Sequence, residues 1–415
     1  MNKLALLGGT PVLPAGEGAF TWPRITPTLE QRVVSQLHES ISIYDKSGIF
    51  QKFEDDFARY HSRRFALLTN SGTNALHSLY VGAGLQPGDE VICPSYTFFA
   101  TVTPLLFTGA VPVLCDVDEN GNLDPNELAK HVTPKTRAVM VTHMWGVPAQ
   151  MAAIKKFCEE RNLLLFEDCS HAHGAKYGDT VVGSESDIAA WSLQGGKTIT
   201  GGEGGILATN NEEFFYRALM LGHYNKRLKQ AIPQEHPLRK FAVTGMGLKY
   251  RAHPLAVAMM DELFGELDGV LETRQAHAEK IMEALRGMPG LTPPRLDGVL
   301  PSYYALTFQY DSESLGGLPL ERFVEALHAE GLSEMDHPGS TMPLNLLPLF
   351  QEPTELFPSY AQTPFSYAPT DFPQSLKYFT RALKMPVWGY PDEAPVVDAY
   401  IRGILKVLTG YTQLL

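Results

Sequence analysis

The residue in this chain best set for covalent chemistry is Lys197. It sits in the stretch Ser186 to Leu207, SDIAAWSLQGGKTITGGEGGIL. The apolar run from Ile188 to Leu193 predicts a buried strand. Two glycines, the lysine and then GGEGG follow, which predicts a tight loop past a strand's carboxyl end, where open α/β sheets bind ligands. Apolar surroundings lower a lysine's pKa and free its amine as a nucleophile, the requirement for a Schiff base. Flanking glycines let a flat ligand come close to the backbone. Taken alone, GGK reads more readily as a solvated glycine-rich turn, so the rest of the chain must decide.

Four further features bear on it. Thr69 to Asn74, TNSGTN, joins a strand to a helix. Free N–H groups at a helix start, with Gly72 and Thr73 beside them, make a phosphate cradle; the alternative is simple N-capping by Ser71 or Thr73. Tyr96, Thr97, Phe98 and Phe99 follow Pro94 at another strand end, where an aromatic can stack on a planar ligand or belong to a core helix. Phe166 to Gly174, FEDCSHAHG, is an apolar strand ending in acid. A carboxylate there, Asp168, can keep a pyridine nitrogen protonated and make the ring an electron sink. Cys169, His171 and His173 alternate as metal ligands might, but a zinc site takes three or four ligands and no second cluster accompanies them, so no metal is expected. Ser192, at the end of the strand before Lys197, offers a hydroxyl to a phosphate. Pyridoxal 5'-phosphate is the cofactor that requires all of these parts together.

These residues need a sheet to hold them. Strands are predicted at 65–69, 90–93, 111–116, 137–143, 163–168, 188–193 and 205–208, alternating with helices at 48–60, 74–83, 96–106 and 151–161. Near-continuous Val/Ile/Leu strands in such alternation mean a mainly parallel sheet covered by helices, an α/β fold. Residues 1–30, rich in Gly and Pro, predict an arm against the body. A large domain is expected over 31–271 and a small C-terminal one over 272–415, bridged by the amphipathic pattern that begins at Pro254. In the small domain 303–310 reads as a strand, 320–329 as a helix, 334–374 as loops around a site and 395–408 as a closing helix.

At 415 residues the chain exceeds one compact core. A net charge of −12 without a basic cluster argues against nucleic acid or an anionic membrane as partner. The apolar N-terminal patch is broken by Gly8, Gly9 and prolines and makes a poor signal peptide. No segment approaches the roughly 20 apolar residues that span a bilayer. Cys93, Cys115, Cys158 and Cys169 lack paired spacing and read as reduced core residues. A cytoplasmic protein is expected.

The motifs SGTNAL, PSYTFFAT, EDCSHAHGA and WSLQGGKTITGGEGG occur in this order. They resemble the sugar aminotransferases of the DegT/DnrJ/EryC1/StrS type, over roughly residues 30 to 410. The resemblance implies a fold type I PLP-dependent transferase, aspartate aminotransferase-like, with a large mainly parallel-sheet domain and a small α+β one. It implies that Lys197 is the Schiff-base lysine and proton carrier and that Asp168 pairs with the pyridine nitrogen. His171 would lie beside the phenolic oxygen, Phe98 would stack on the ring, and Gly72, Thr73 and Ser192 would bind phosphate. Such enzymes are homodimers with shared sites, the partner lending an asparagine from a G-x-N-x-R segment. Here that stretch is Gly247 to Arg251, GLKYR, so Lys249 stands where asparagine is usual and would meet the phosphate as a point charge. The same loop logic points, less specifically, to His223, Tyr224 and Asn225.

The activity implied is transfer of an amino group from glutamate or glutamine to a ketosugar or ketocyclitol. Tyr303-Tyr304 and the segments FQYDSESLGGLPLERF and MDHPGSTMPLNLLPLF resemble the branch that aminates inososes; nucleotide-linked ketosugars stay open. A dehydratase or aromatic-amine-forming enzyme of the same fold is an alternative, but sugar dehydratases of this fold carry histidine in place of the lysine. A non-catalytic sensor would be expected to have lost Lys197 or Asp168. Dinucleotide binding does not fit, since GGEGG follows the lysine and no ribose-binding acid is suitably placed.

Overall fold

Seven strands build the central sheet: β1 (Phe65–Thr69), β2 (Glu90–Pro94), β3 (Val111–Cys115), β4 (Thr136–Thr142), β5 (Leu164–Asp168), β6 (Ile188–Ser192) and β7 (Gly205–Thr209). The structure is a computed structural model that describes residues 3–14 and 16–415. The strand order is β1-β7-β6-β5-β4-β2-β3. From β3 to β6 every pairing is parallel, whereas β7 runs antiparallel to both β6 and β1. Six strands therefore end on one edge of the sheet. Both faces are covered, which is why the strands read as apolar runs: Val139, Met140, Phe166, Ala189, Trp191 and Leu207 are fully buried.

Helix α1 (Pro27–Glu39) is capped by the Thr26 side chain, and α2 (Gly48–Tyr60) lays Phe53 and Phe57 on the sheet, the latter edge-on to Trp191 at 4.9 Å. Helix α3 (Gly72–Gly82) starts two residues earlier than its apolar pattern indicates, because the Ser71 hydroxyl caps it by accepting the Asn74 N–H. Its first-turn N–H groups thus lie at Gly72 and Thr73, without intrahelical partners.

The helix expected over 96–106 does not form. Tyr96–Thr97 instead pairs antiparallel with Met342–Pro343, and short 3₁₀ turns follow at Phe99–Thr101 and Thr103–Thr108. Three threonines, Val102 and Pro104 explain this: β-branched side chains crowd an α-helix, and proline removes an interior donor. The rearrangement matters, because it turns Thr101 towards β5.

Helix α4 (Met151–Arg161) and α5 (Glu212–Gly222) complete the cover of the sheet, and α6 (Pro254–Ala284) continues unbroken past Leu271. Its first half packs Val257, Met260 and Leu267 into the sheet's core; its second half packs Ala278 and Ile281 into a separate C-terminal core. That second core surrounds a three-stranded antiparallel sheet of β8 (Leu291–Thr292), β9 (Leu306–Tyr310) and β10 (Ala382–Met385), covered by α7 (Leu320–Ala329) and α8 (Ala394–Gly410). The strand expected from 303 therefore starts at Leu306. The arm buries Leu4 in this C-terminal core, and Glu330 accepts hydrogen bonds there from the Ala5 and Val12 N–H groups. No described helix is long and apolar enough to cross a membrane.

Candidate active site

At the shared carboxyl edge of the strands lies a cavity of about 420 Å³. Gly72, Thr73, Phe98, Asp168, His171, Ser192 and Lys197 all line it. A larger, more open cleft of about 930 Å³ beside Asp118 and Arg295 holds none of them.

Lys197 sits on the loop after β6 and is 9% exposed. Three contacts fix the loop: the Lys197 N–H donates to the Gln194 carbonyl (2.8 Å), the indole N–H of Trp22 donates to the Lys197 carbonyl (2.8 Å), and Arg274 donates to the Thr198 hydroxyl (2.9 Å). Trp22 also lies over the Arg274 guanidinium at 4.8 Å, so the arm and α6 grip the loop together. The Lys197 ammonium stands 4.2 Å above the Tyr304 ring. Burial pushes its pKa down to about 8, while the charge of Asp168 pulls the other way. A substantial fraction of the amine is therefore neutral near pH 8 and nucleophilic.

Asp168 ends β5 and is almost wholly buried. Its Oδ2 accepts from the Thr101 hydroxyl (2.8 Å) and its Oδ1 from the Ser170 N–H (3.0 Å). Thr101 is in turn bonded to Thr97 at 2.7 Å. The carboxylate is thus oriented from both sides.

His171 packs nearly parallel to two rings, Tyr304 at 4.2 Å and Trp145 at 5.5 Å, which themselves lie 6.2 Å apart, so the three form one cluster. Burial, with the charge of Lys197 adding to it, holds its pKa well below the ordinary value, so the imidazole is neutral. Its Nδ1 is buried with no hydrogen-bond partner among the described residues. The stack rests on two non-glycine residues in the left-handed region, Trp145 (φ 57°) and Tyr303 (φ 49°). Bonds from Ser302 to the Gly146 and His171 carbonyls and from Ala305 to the Trp145 carbonyl hold them there. Backbone held in so sparsely populated a region concentrates at functional sites.

At the phosphate-type end, Gly72 lies so close to Ser192 that a Cβ would come within 2.5 Å of the serine Cβ. Only glycine lets the helix start reach that hydroxyl. Phe98 stands at the mouth, 37% exposed and packed on Phe99. Lys249 is exposed and lies outside the cavity of its own chain. Of the other segment the sequence singled out, His223 is half-buried and Tyr224 packs on Tyr44; neither lines the cavity.

His143, Glu167 and Cys169 form the metal-type cluster among the described residues, and His171 and His173 are not part of it. Hydrogen bonding accounts for this cluster. His143 Nδ1 accepts the Ala149 N–H, which leaves Nε2–H to donate to Glu167 at 3.0 Å. The Gly183 N–H donates to the same carboxylate.

The donor set therefore comprises an anion cradle at a helix start, a buried oriented carboxylate, an unpartnered neutral imidazole nitrogen and a depressed-pKa lysine. These fit the phosphate, ring nitrogen, phenolic oxygen and aldehyde of pyridoxal phosphate. Trp145, Tyr304, Thr101, Trp22 and Arg274 were not legible as site residues from local patterns, although Tyr304 sits in a motif the sequence singles out.

Fold and site together define a fold type I pyridoxal-phosphate-dependent transferase. The model of the DegT/DnrJ/EryC1/StrS aminotransferase family matches residues 28–397, and the chain belongs to that family. It is 33% identical over 342 residues to a Micromonospora echinospora protein assigned as an L-glutamine:3-amino-2,3-dideoxy-scyllo-inosose aminotransferase, with 80% of this chain and 78% of the relative covered. It is 29% identical to the dTDP-3-amino-3,4,6-trideoxy-alpha-D-glucose transaminase of Streptomyces venezuelae, covering 84% and 85%. An aminotransferase structure from Psychrobacter cryohalolentis superposes with a TM-score of 0.82 at 25% identity, covering 95% of this chain and 99% of that one. The protein is an aminotransferase, and its cofactor is pyridoxal 5'-phosphate.

Proposed function

We propose that the enzyme moves an amino group from L-glutamate or L-glutamine to a ketosugar or ketocyclitol, in the biosynthesis of an amino sugar or aminocyclitol. The observation that carries the reading is Lys197, an oriented Asp168 and a neutral His171 lining one cavity. When bound, the cofactor supplies an electron sink. Asp168, fixed by Thr101 and Ser170, would accept the ring N–H and keep that nitrogen protonated. His171 would hold the phenolic oxygen, Phe98 would border the ring, and Gly72, Thr73 and Ser192 would bind the phosphate. Lys197 would hold the cofactor through its amine, and the same amine would take up and return the substrate's Cα proton as general base and acid. The Tyr304 ring steadies the ammonium it becomes.

The same reading makes the enzyme a homodimer with shared sites, in which Lys249 of one protomer serves the other's phosphate. Exposed Phe107, Phe241, Val243, Met246 and Leu248 support an interface here, since isolated monomers seldom display so many large apolar side chains in neighbouring segments. His77 contacts both Phe107 and Tyr250, which puts these segments side by side. Four free, buried cysteines suit the cytoplasm. A sugar dehydratase is disfavoured, because Lys197 is present.

The test is ¹⁵N transfer. Glutamate labelled at the amine, or glutamine labelled at the amine or the amide, is incubated with the holoenzyme and either a free ketocyclitol or a dTDP- or GDP-linked ketosugar. A mass-shifted amine product from one acceptor class supports the reading and names the class. Loss of water from the sugar without label uptake would instead make the enzyme a dehydratase.

A further inference from the structure

The cavity contains a second cation. Lys384 lines it together with Lys197. It lies on β10, where Leu383 and Met385 point into the C-terminal core and are fully buried. Alternation along the strand turns Lys384 to the other face, towards the site. Its backbone is fixed twice over: Thr307 is its partner on β9, and Lys384 and Asp336 exchange both N–H to carbonyl bonds (2.8 and 3.0 Å). Among the described residues its ammonium has no hydrogen bond and no ion pair.

The charged groups lining the cavity are Lys197, Lys384, Asp168 and Glu203. Asp168 is engaged by Thr101 and Ser170, and Lys197 is reserved for the cofactor. Any amino-acid donor brings an α-carboxylate into this space, and the chain as a whole is acidic, with a net charge of −12. A half-buried lysine with no partner adds nothing to folding, because its ammonium loses part of its hydration and gains no ion pair. An arriving anion resolves that deficit.

We propose that Lys384 is the receptor for the carboxylate of the amino-acid donor, and so a specificity-determining residue of the donor half of the reaction. This rests on the aminotransferase reading above. A phosphate on the acceptor offers the same kind of anion. The two sources separate experimentally, because donor and acceptor react in successive half-reactions.

The test uses the holoenzyme and the variants Lys384→Met, which keeps length and loses charge, and Lys384→Arg. The donor half-reaction is followed alone, by the change in cofactor absorbance with L-glutamate or L-glutamine and no acceptor. Calorimetry with glutarate, an unreactive dicarboxylate, gives a binding readout independent of turnover. In Lys384→Met the donor half-saturation concentration and the glutarate dissociation constant should each rise about tenfold, with the limiting rate little changed, as for loss of one charged hydrogen bond in a partly exposed setting. Lys384→Arg should recover most of this. A variant indistinguishable from wild type in both readouts overturns the inference, as does a defect confined to the acceptor half-reaction. If wild type binds the cofactor but responds to no amino acid, the aminotransferase reading itself fails, and this inference with it.

Discussion

At Lys197 the chemistry follows from burial. Desolvation brings the ammonium down from 10.5 to about 8, against the pull of Asp168. The unfolded chain therefore binds more protons than the folded one between those two values. Apoprotein stability should rise as pH climbs through that window, and only the folded form has a neutral amine near pH 8. The rate at which apoenzyme captures pyridoxal phosphate, read from growth of its visible band, should increase through about pH 8 and level off above it. A rate flat across that range would show that Lys197 is not the titrating nucleophile. Asp168→Asn keeps the shape of the side chain and removes its charge. Cofactor capture should survive, while the donor half-reaction should slow by about 100-fold or more in stopped flow, within the range for loss of a catalytic proton-holding group. Residues such as Gly72, Asp168, Ser192 and Lys197 were legible because each belongs to a strand end with local turn chemistry. The Trp145–His171–Tyr304 stack was not, since its members come from three distant segments and meet only through backbone bonds made by Ser302 and Ala305.

At the scale of elements, the site depends on how loops are held beyond the strand ends. The strands themselves were readable from their apolar runs, and the parallel arrangement from their alternation with helices. The stretch from Tyr96 to Leu106 was misleading, because its apolar spacing mimics a helix while its threonines and Pro104 refuse one. The N-terminal arm was legible only as rich in Gly and Pro; nothing in its sequence shows that Trp22 reaches the Lys197 carbonyl. Trp22→Phe retains the ring over Arg274 and removes the indole donor. Amide hydrogen exchange in the loop 195–202 should accelerate in the apoprotein, and cofactor affinity should fall about fivefold, as for one lost hydrogen bond of about 1 kcal/mol. Exchange and affinity both unchanged would mean that the arm merely covers the loop. Gly72→Ala forces a methyl to within 2.5 Å of Ser192, so it should weaken phosphate binding more than it weakens folding. Cofactor dissociation and thermal unfolding of the apoprotein, measured side by side, check this.

For the molecule as a whole, two cores joined by α6 place the lysine loop on one side of the cavity and Tyr304 and Lys384 on the other. The boundary expected at Leu271 falls inside a continuous helix, and that helix and the arm that docks into the far core came from tertiary packing. Lys249 lies outside its own chain's cavity, so its role can be tested only across protomers. Lys197→Ala and Lys249→Ala enzymes, each inactive or weak, should regain about a quarter of wild-type activity when unfolded and refolded together. Half of the dimers are then mixed, with one intact site of two. No recovery would mean that sites are not shared through Lys249. The most direct measurement for the account is the absorbance spectrum of the purified protein with pyridoxal phosphate, before and after L-glutamate or L-glutamine. The expected result is a visible band, absent in Lys197→Ala loaded in the same way, that bleaches towards the pyridoxamine form when the donor is added without any acceptor. A protein that shows no such band with the cofactor present, or a band indifferent to both donors, would contradict it.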